Sequence, residues 1–153
     1  MILVDANLLL YAHDRSSPVH EPAHRWLTEA LSGLEPIGLS WPTLLAFLRI
    51  TTNPKIFRSP FSIQEAVSIV DDWLSQPNIH LLHAGEDHWT VLRDLLLETG
   101  VTAKLIMDAH LAALAIEHGA VLLTRDGDFD LFEELRTRNP LAAEPEERPG
   151  PPS

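Results

Sequence analysis

Three apolar runs in this chain each deliver a carboxylate. Ile2-Leu3-Val4 runs into Asp5, Leu105-Ile106-Met107 runs into Asp108, and Val121-Leu122-Leu123 leads through Thr124-Arg125 to Asp126-Gly127-Asp128. Short apolar runs followed by turn signals read as buried strands, and acids placed where strands end sit at the open edge of a sheet, where α/β folds keep their chemistry. Several carboxylates gathered from distant segments cannot all stay ionised near apolar walls without a compensating cation. Hard oxygen ligands in that number suit Mg²⁺ or Mn²⁺. The pattern predicts a metal-dependent acidic site.

The rest of the chain supplies the scaffold for such an edge. Met1–Val4 reads as a strand, with Asn7 able to cap a helix through Leu8–Ala12 before Ser16-Ser17-Pro18 breaks it. A helix over Glu21–Ser32 ends at Gly33, and Ile37–Ser40 is a second strand. Ser40 or Thr43 can cap a helix over Pro42–Thr51 that stops at Asn53-Pro54, and Ser62 opens another with Ala66, Ile69, Val70 and Trp73 at helical spacing. Ile79–Leu82 reads as a third strand and His88–Glu98 as an amphipathic helix stopped near Gly100. Thr102 can cap a helix over Ala103–His118, Ala120–Leu123 is a fourth strand, and Phe129–Arg136 reads as a terminal helix. Strands separated by helices imply parallel pairing with right-handed crossovers. The Pro- and Glu-rich run 139–153 has too little apolar content to pack, so the expected organisation is one domain over 1–138 and a disordered tail.

Bulk properties exclude several functions. At 153 residues and 45% hydrophobic content the chain suits one globular core. No apolar run approaches the roughly 18 residues of a membrane span, and Met1–Asp5 lacks the basic flank of a signal peptide, so a cytoplasmic location is expected. The absence of cysteine removes disulfides, thiolate nucleophiles and cysteine zinc sites. His20 and His24 share i,i+4 spacing but lack the context of a zinc protease, and a solvated helix start explains them better. A net charge of −11 argues against indiscriminate nucleic-acid binding, although Arg49, Lys55 and Arg58 lie in a stretch from Pro36 to Gln64 with no acidic residue. That stretch can meet phosphates or an acidic partner, or it can be solubilising surface.

Each carboxylate has a plainer reading. Asp5 could be a helix cap, but Asn7 already offers one. Asp108 could be a surface acid paired with Lys104 at i−4, although aspartate is a poor helix-interior residue and its neighbours are apolar. The run Thr124-Arg125-Asp126-Gly127-Asp128-Phe129-Asp130 could be a turn whose aspartates cap the last helix. Within it Asp126 is the better ligand, and Asp128 can cap or join a second metal shell. A calcium loop is disfavoured, because its twelfth position holds Thr137 instead of glutamate.

Together, Val4-Asp5-Ala6-Asn7, Asp108-Ala109-His110-Leu111-Ala112-Ala113-Leu114-Ala115 and Leu123-Thr124-Arg125-Asp126-Gly127-Asp128-Phe129 resemble the PIN-domain family, and within it the toxin ribonucleases of VapBC toxin–antitoxin pairs. The segment Trp41–Pro54 is similar to a subgroup common in mycobacterial-type VapC toxins. The resemblance covers residues 1 to about 135. It implies a PIN-like three-layer α/β/α sandwich with a central, mostly parallel sheet of four or five strands. It also implies an Mg²⁺-dependent (Mn²⁺ possible) endoribonuclease acting on RNA, a cognate VapB-type antitoxin and a homodimer. One departure stands out: the family usually carries a glutamate in the helix after the second strand, and here that position is Ala46, with no acid between Glu35 and Glu65.

By the same resemblance Asp5, Asp108 and Asp126 are the catalytic residues, and Asp5, Asp108, Asp126 and Asp128 the metal ligands. Asn7, Thr124 and Arg125 supply substrate or outer-shell contacts. An antitoxin arginine could replace the metal's charge in this pocket. Leu44, Phe47, Ile56, Phe57 and Phe61 are candidates for an interface, with core packing as the plainer account. Two rivals remain. A PIN-like module without the acid at Ala46 could be a non-catalytic binder, and Asp5 could be the nucleophile of an aspartyl-phosphate phosphatase, although the usual second aspartate two residues on is Asn7.

Overall fold

The computed structural model describes residues 1–142 and 146–148. In chain order the elements are β1 (Ile2–Val4), α1 (Ala6–His13), α2 (His20–Ser32), β2 (Ile37–Ser40), α3 (Trp41–Thr51), α4 (Ile63–Ser75), β3 (Ile79–Leu82), α5 (His88–Thr99), α6 (Leu105–Glu117) and β4 (Val121–Leu123). A short 3₁₀ turn (Gly127–Leu131), β5 (Thr137–Asn139) and β6 (Glu146–Arg148) complete it. The sheet order is β3-β2-β1-β4-β5-β6, parallel throughout except for the antiparallel β5–β6 pair. The chain builds outward from β1 to β3 on one side and then crosses to β4 on the other. The order therefore reverses between β1 and β4, and a crevice opens beyond their carboxyl ends.

Alternation along the strands divides the core into two. Leu3 and Leu122 face a cluster with α5, α6, Phe129, Phe132 and Leu135, whereas Ile2, Val4 and Leu123 face α1 to α4. This is the expected three-layer α/β/α arrangement. On the first face α6 buries Ala109, Ala112, Ala113 and Ala115, small side chains that let helix and sheet approach closely. On the other face the Phe47 and Trp73 rings pack at 4.6 Å between centroids, tilted by 60°, with His13 edge-on to Phe47 at 5.2 Å. Phe47 is fully buried, and its truncation to alanine would cost about 3–5 kcal/mol. At the β2–β3 contact, a Cβ added to Gly38 would meet Leu82 Cδ1 at 2.5 Å, so only glycine permits that spacing.

Several expected boundaries hold for local reasons. The Ser40 side chain accepts from the Thr43 amide at the start of α3, Ser62 and Glu65 form a full capping box on α4, and Gly100 closes α5 in the left-handed region at φ 66°.

Others are corrected. Asn7 does not cap α1: the helix starts at Ala6, and Asp5 holds the N-cap position without a side-chain cap hydrogen bond. Thr102 does not cap α6, which starts at Leu105 after Ala103 takes φ 54°. The terminal helix is only the 3₁₀ turn, because Thr137–Asn139 pairs with β4 as a strand too short and polar to be read from its sequence. With β5 the parallel part of the sheet has five strands, within the four or five expected, and β6 adds an antiparallel strand at its edge. β5 runs across position 138, and Glu146–Arg148 pairs with it. Residues 143–145 and 149–153 of the expected tail lie outside the described residues. Leu44, Phe47 and Phe57 are core residues, so of the apolar side chains considered for an interface only Ile56 is strongly exposed. Among the described residues no helix is long and apolar enough to cross a membrane.

Candidate active site

The crevice between β1 and β4 gathers the acids. The Asp5 amide donates to the Leu123 carbonyl at 3.0 Å, which fixes Asp5 one step past the paired strand ends. Thr124, buried at the end of β4, donates its hydroxyl to Asp5 Oδ2 at 2.8 Å and accepts the Asp126 amide at 3.0 Å. Asp126 in turn accepts the Asp128 amide at 2.9 Å as the cap of the 3₁₀ turn. The turn reading of this run holds, and the cap engages Asp126 Oδ1 alone, so capping does not by itself use up the carboxylate. Asp108, in the first turn of α6, comes up from the far side of the sheet edge.

Asp108, Asp126 and Asp128 each present a carboxylate oxygen, all within 4.8 Å of one another. Asp5 is not part of this trio, but it lies close enough to act on both Asp108 and Asp126 electrostatically. Burial, followed by the charges of Asp5, Asp126 and Asp128, pushes the Asp108 carboxyl up from 3.8 to about 6; Lys104 opposes this only weakly and makes no ion pair with it among the described residues. The surface ion-pair reading of Asp108 therefore fails. Burial also raises the Asp5 carboxyl, while the Thr124 hydroxyl and the backbone amides of Asn7 and Ala6 pull it back. Like charges held this close and partly out of water call for a cation, and an all-oxygen donor set fits a hard divalent ion such as Mg²⁺ or Mn²⁺.

The substrate-contact candidates sit around this edge. Asn7 is in the first turn of α1, half-buried. Arg125 is exposed, with its guanidinium 5.8 Å from the Tyr11 ring centroid, a stacking contact that holds the charge beside the crevice. The three bases of the acid-free stretch are not brought together: Arg49 and Arg58 line different cavities. His20 Nδ1 is engaged by the Tyr11 carbonyl at 2.9 Å.

The structure adds residues that the sequence did not single out. A cavity of about 600 Å³ opens beside Asp5 between α3 and α6, lined by Ala46, Arg49, Met107 and His110 among others. Ala46, at the position where an acid was expected, thus forms part of a wall instead of supplying a ligand. His110 Nδ1 lies 2.9 Å from His88 Nε2, and His88 Nδ1 is hydrogen-bonded to Glu117, which also accepts the Gly85 amide at 3.2 Å. Burial, and then the neighbouring His88, lower the basicity of His110. His110 stood within the Asp108–Ala115 motif, whereas His88 and Glu117 carried no sequence signal for this chain of bonds.

The fold is an α/β/α sandwich with an acid trio at the reversal of its strand order. Residues 2–135 match the PIN domain family. The chain belongs to that family. It is 43% identical to Ribonuclease VapC37 of Mycobacterium tuberculosis over 93% of this chain and 99% of that protein, and 40% identical to Ribonuclease VapC33 of the same species over 92% and 99%. Its fold is similar to VapBC-1 from nontypeable Haemophilus influenzae (TM-score 0.64, 16% identity, 93% of this chain and 100% of that chain). It is similar also to Mycobacterium tuberculosis VapC20, described as a Sarcin-Ricin loop cleaving toxin (TM-score 0.63, 19% identity, 85% and 93%).

Proposed function

We propose that this protein is the toxin component of a VapBC-type toxin–antitoxin pair, an endoribonuclease that hydrolyses RNA phosphodiester bonds with Mg²⁺ or Mn²⁺. The observation that carries the reading is the trio Asp108, Asp126 and Asp128 with Asp5 beside it at the carboxyl end of the parallel sheet. In this reading Asp108, Asp126 and Asp128, together with Asp5, hold the metal, and Asp5, Asp108 and Asp126 are the catalytic acids. When bound, the ion supplies positive charge for the developing phosphorane and makes a water molecule nucleophilic at neutral pH.

The protein's own groups do the rest. Thr124 fixes Asp5 in one orientation and bonds the Asp126 backbone, so two segments distant in sequence are tied together. Arg125, held over Tyr11, meets a phosphate of the RNA, and Asn7 offers an amide at the rim of the crevice. The uncompensated charge that raises the Asp108 carboxyl also suits an antitoxin arginine that would occupy the pocket when the pair is assembled. One fold neighbour is described as a toxin–antitoxin complex and another as VapBC-1, which supports a VapB-type partner for this chain, and the homodimer rests on the family resemblance.

The test is incubation of the purified full chain, free of antitoxin, with structured RNAs and with EDTA, Mg²⁺ or Mn²⁺. Metal-dependent cutting that disappears in Asp5→Asn and Asp108→Asn is expected. Folded wild type that cuts no RNA under any metal condition overturns the nuclease reading. Ala46 at the usual acidic position favours a second reading, a PIN-fold module that binds a partner without turnover, and that outcome would support it.

A further inference from the structure

We propose that the cavity between α3 and α6 is a nucleotide subsite. One nucleoside of the RNA lies against Leu45, Ala46 and Met107, Arg49 meets its phosphate, and His110 hydrogen-bonds its ribose or base. The inference rests on the RNA-cleaving reading above for its substrate class, and it adds where the nucleotide beside the cleaved bond is held.

The cavity, about 600 Å³, includes Asp5 in its wall and is therefore continuous with the acidic edge. Its lining is mainly apolar, with one guanidinium, one imidazole and one carboxylate. An apolar cavity with few polar groups suits a flat heterocycle, and a single cation on its wall suits the phosphate attached to it. Ala46 and Arg49 lie three apart on α3 and share a face, so the small side chain at 46 opens space next to the charge at 49. Arg49 makes no ion pair among the described residues, which leaves its guanidinium available.

His110 is built to be a fixed partner. His88 Nδ1 is hydrogen-bonded to Glu117, and His88 Nε2 is hydrogen-bonded to His110 Nδ1. With its Nδ1 committed, His110 has Nε2 as its remaining polar atom for a hydrogen bond to a ribose hydroxyl or a base edge. His88 and Glu117 are nearly enclosed, at 12% and 9% side-chain exposure, so the ring is held and pays little ordering entropy on binding. They are positioning residues that act through His110.

The test is a titration of the metal-free full chain in EDTA with the four 5′-ribonucleoside monophosphates, followed by NMR. Inorganic phosphate, ribose 5-phosphate and a short apolar helical peptide serve as controls. Saturable shifts at Ala46, Arg49 and His110 are expected, with at least one nucleotide binding about tenfold tighter than ribose 5-phosphate. Ala46→Leu, which fills the space, and Arg49→Gln should each weaken it about tenfold. His88→Ala and His110→Ala should each weaken it about threefold, with the double variant no worse than either, a non-additivity that simple destabilisation would not produce. Thermal unfolding of every variant confirms folding. Equal affinity for ribose 5-phosphate, unchanged binding in Ala46→Leu, no saturation by any nucleotide, or preferential occupation by the peptide overturns the proposal. The measurement uses neither metal nor turnover, so its failure leaves the nuclease reading standing, and failure of RNA cleavage leaves the subsite standing.

Discussion

Asp108, in the first turn of α6, and Glu117, in its last, are both withdrawn from water, yet they are treated in opposite ways. Glu117 has a full set of partners, with His88 on one oxygen and the Gly85 amide on the other. Asp108 faces Asp5, Asp126 and Asp128, and the charge of Lys104 offsets them weakly. One end of the helix is electrostatically settled and the other is not. Folding satisfies a buried carboxylate where it has only a structural or orienting task, and leaves it unsatisfied where a ligand is to supply the missing charge.

The difference can be broken most severely at the unsettled end. Asp108→Asn and Asp5→Asn are each expected to lower the rate of RNA cleavage by at least about 10³-fold while circular dichroism shows an intact fold. Full activity in either folded variant would remove the site. At the settled end the effect is on stability: Glu117→Ala is expected to cost about 2 kcal/mol in urea unfolding, because it strands the His88 ring nitrogen and the Gly85 amide. Glu117→Gln should recover much of that, and a cost near zero would mean that the bonds contribute nothing net.

Metal addition should act in the reverse sense. At tenfold excess over its dissociation constant, Mg²⁺ or Mn²⁺ should stabilise wild type by about 1.4 kcal/mol in thermal unfolding and Asp108→Asn by much less. Equal stabilisation of both would place the ion elsewhere.

The smallest effect concerns pH without metal. The folded-state pKa of Asp108 is raised from 3.8 to about 6, so the folded form binds this proton more tightly than the unfolded form. The contribution is fully present below about 3.8 and is lost as pH rises through about 6. Asp108→Asn should therefore be more stable than wild type in EDTA at neutral pH, by about 1 kcal/mol once partial exposure is discounted, and the gap should close on acidification below about pH 4. A gap that persists at low pH would trace the gain to packing instead of charge.

Much of the fold, and the acids of its edge, were legible in the chain. Ile2-Leu3-Val4-Asp5 and Val121-Leu122-Leu123 carry their fold and half of the site in a few residues, because a buried strand needs continuous apolar sequence and the next polar residue must emerge at its end. Ser40, Ser62–Glu65 and Gly100 announced helix ends, since capping is chemistry between near neighbours. The start of α6 was misplaced because Ala103 takes a left-handed turn that nothing in its side chain signals. β5 was missed because Thr137-Arg138-Asn139 becomes a strand only through pairing with Leu122 and Leu123.

The sequence by itself determined the α/β class, the parallel core and the carboxylates that meet at its edge, since periodicity and composition are local properties written in consecutive residues. Only the tertiary structure decided that Asp126 and Asp128 join Asp108 while Asp5 stands beside them, that Ala46 opens a wall, and that Glu117 orients His110 through His88. Those pairings span 29 residues between His88 and Glu117 and 119 between Asp5 and Thr124. Contacts at such separation depend on how whole elements pack, and no short stretch of sequence records that.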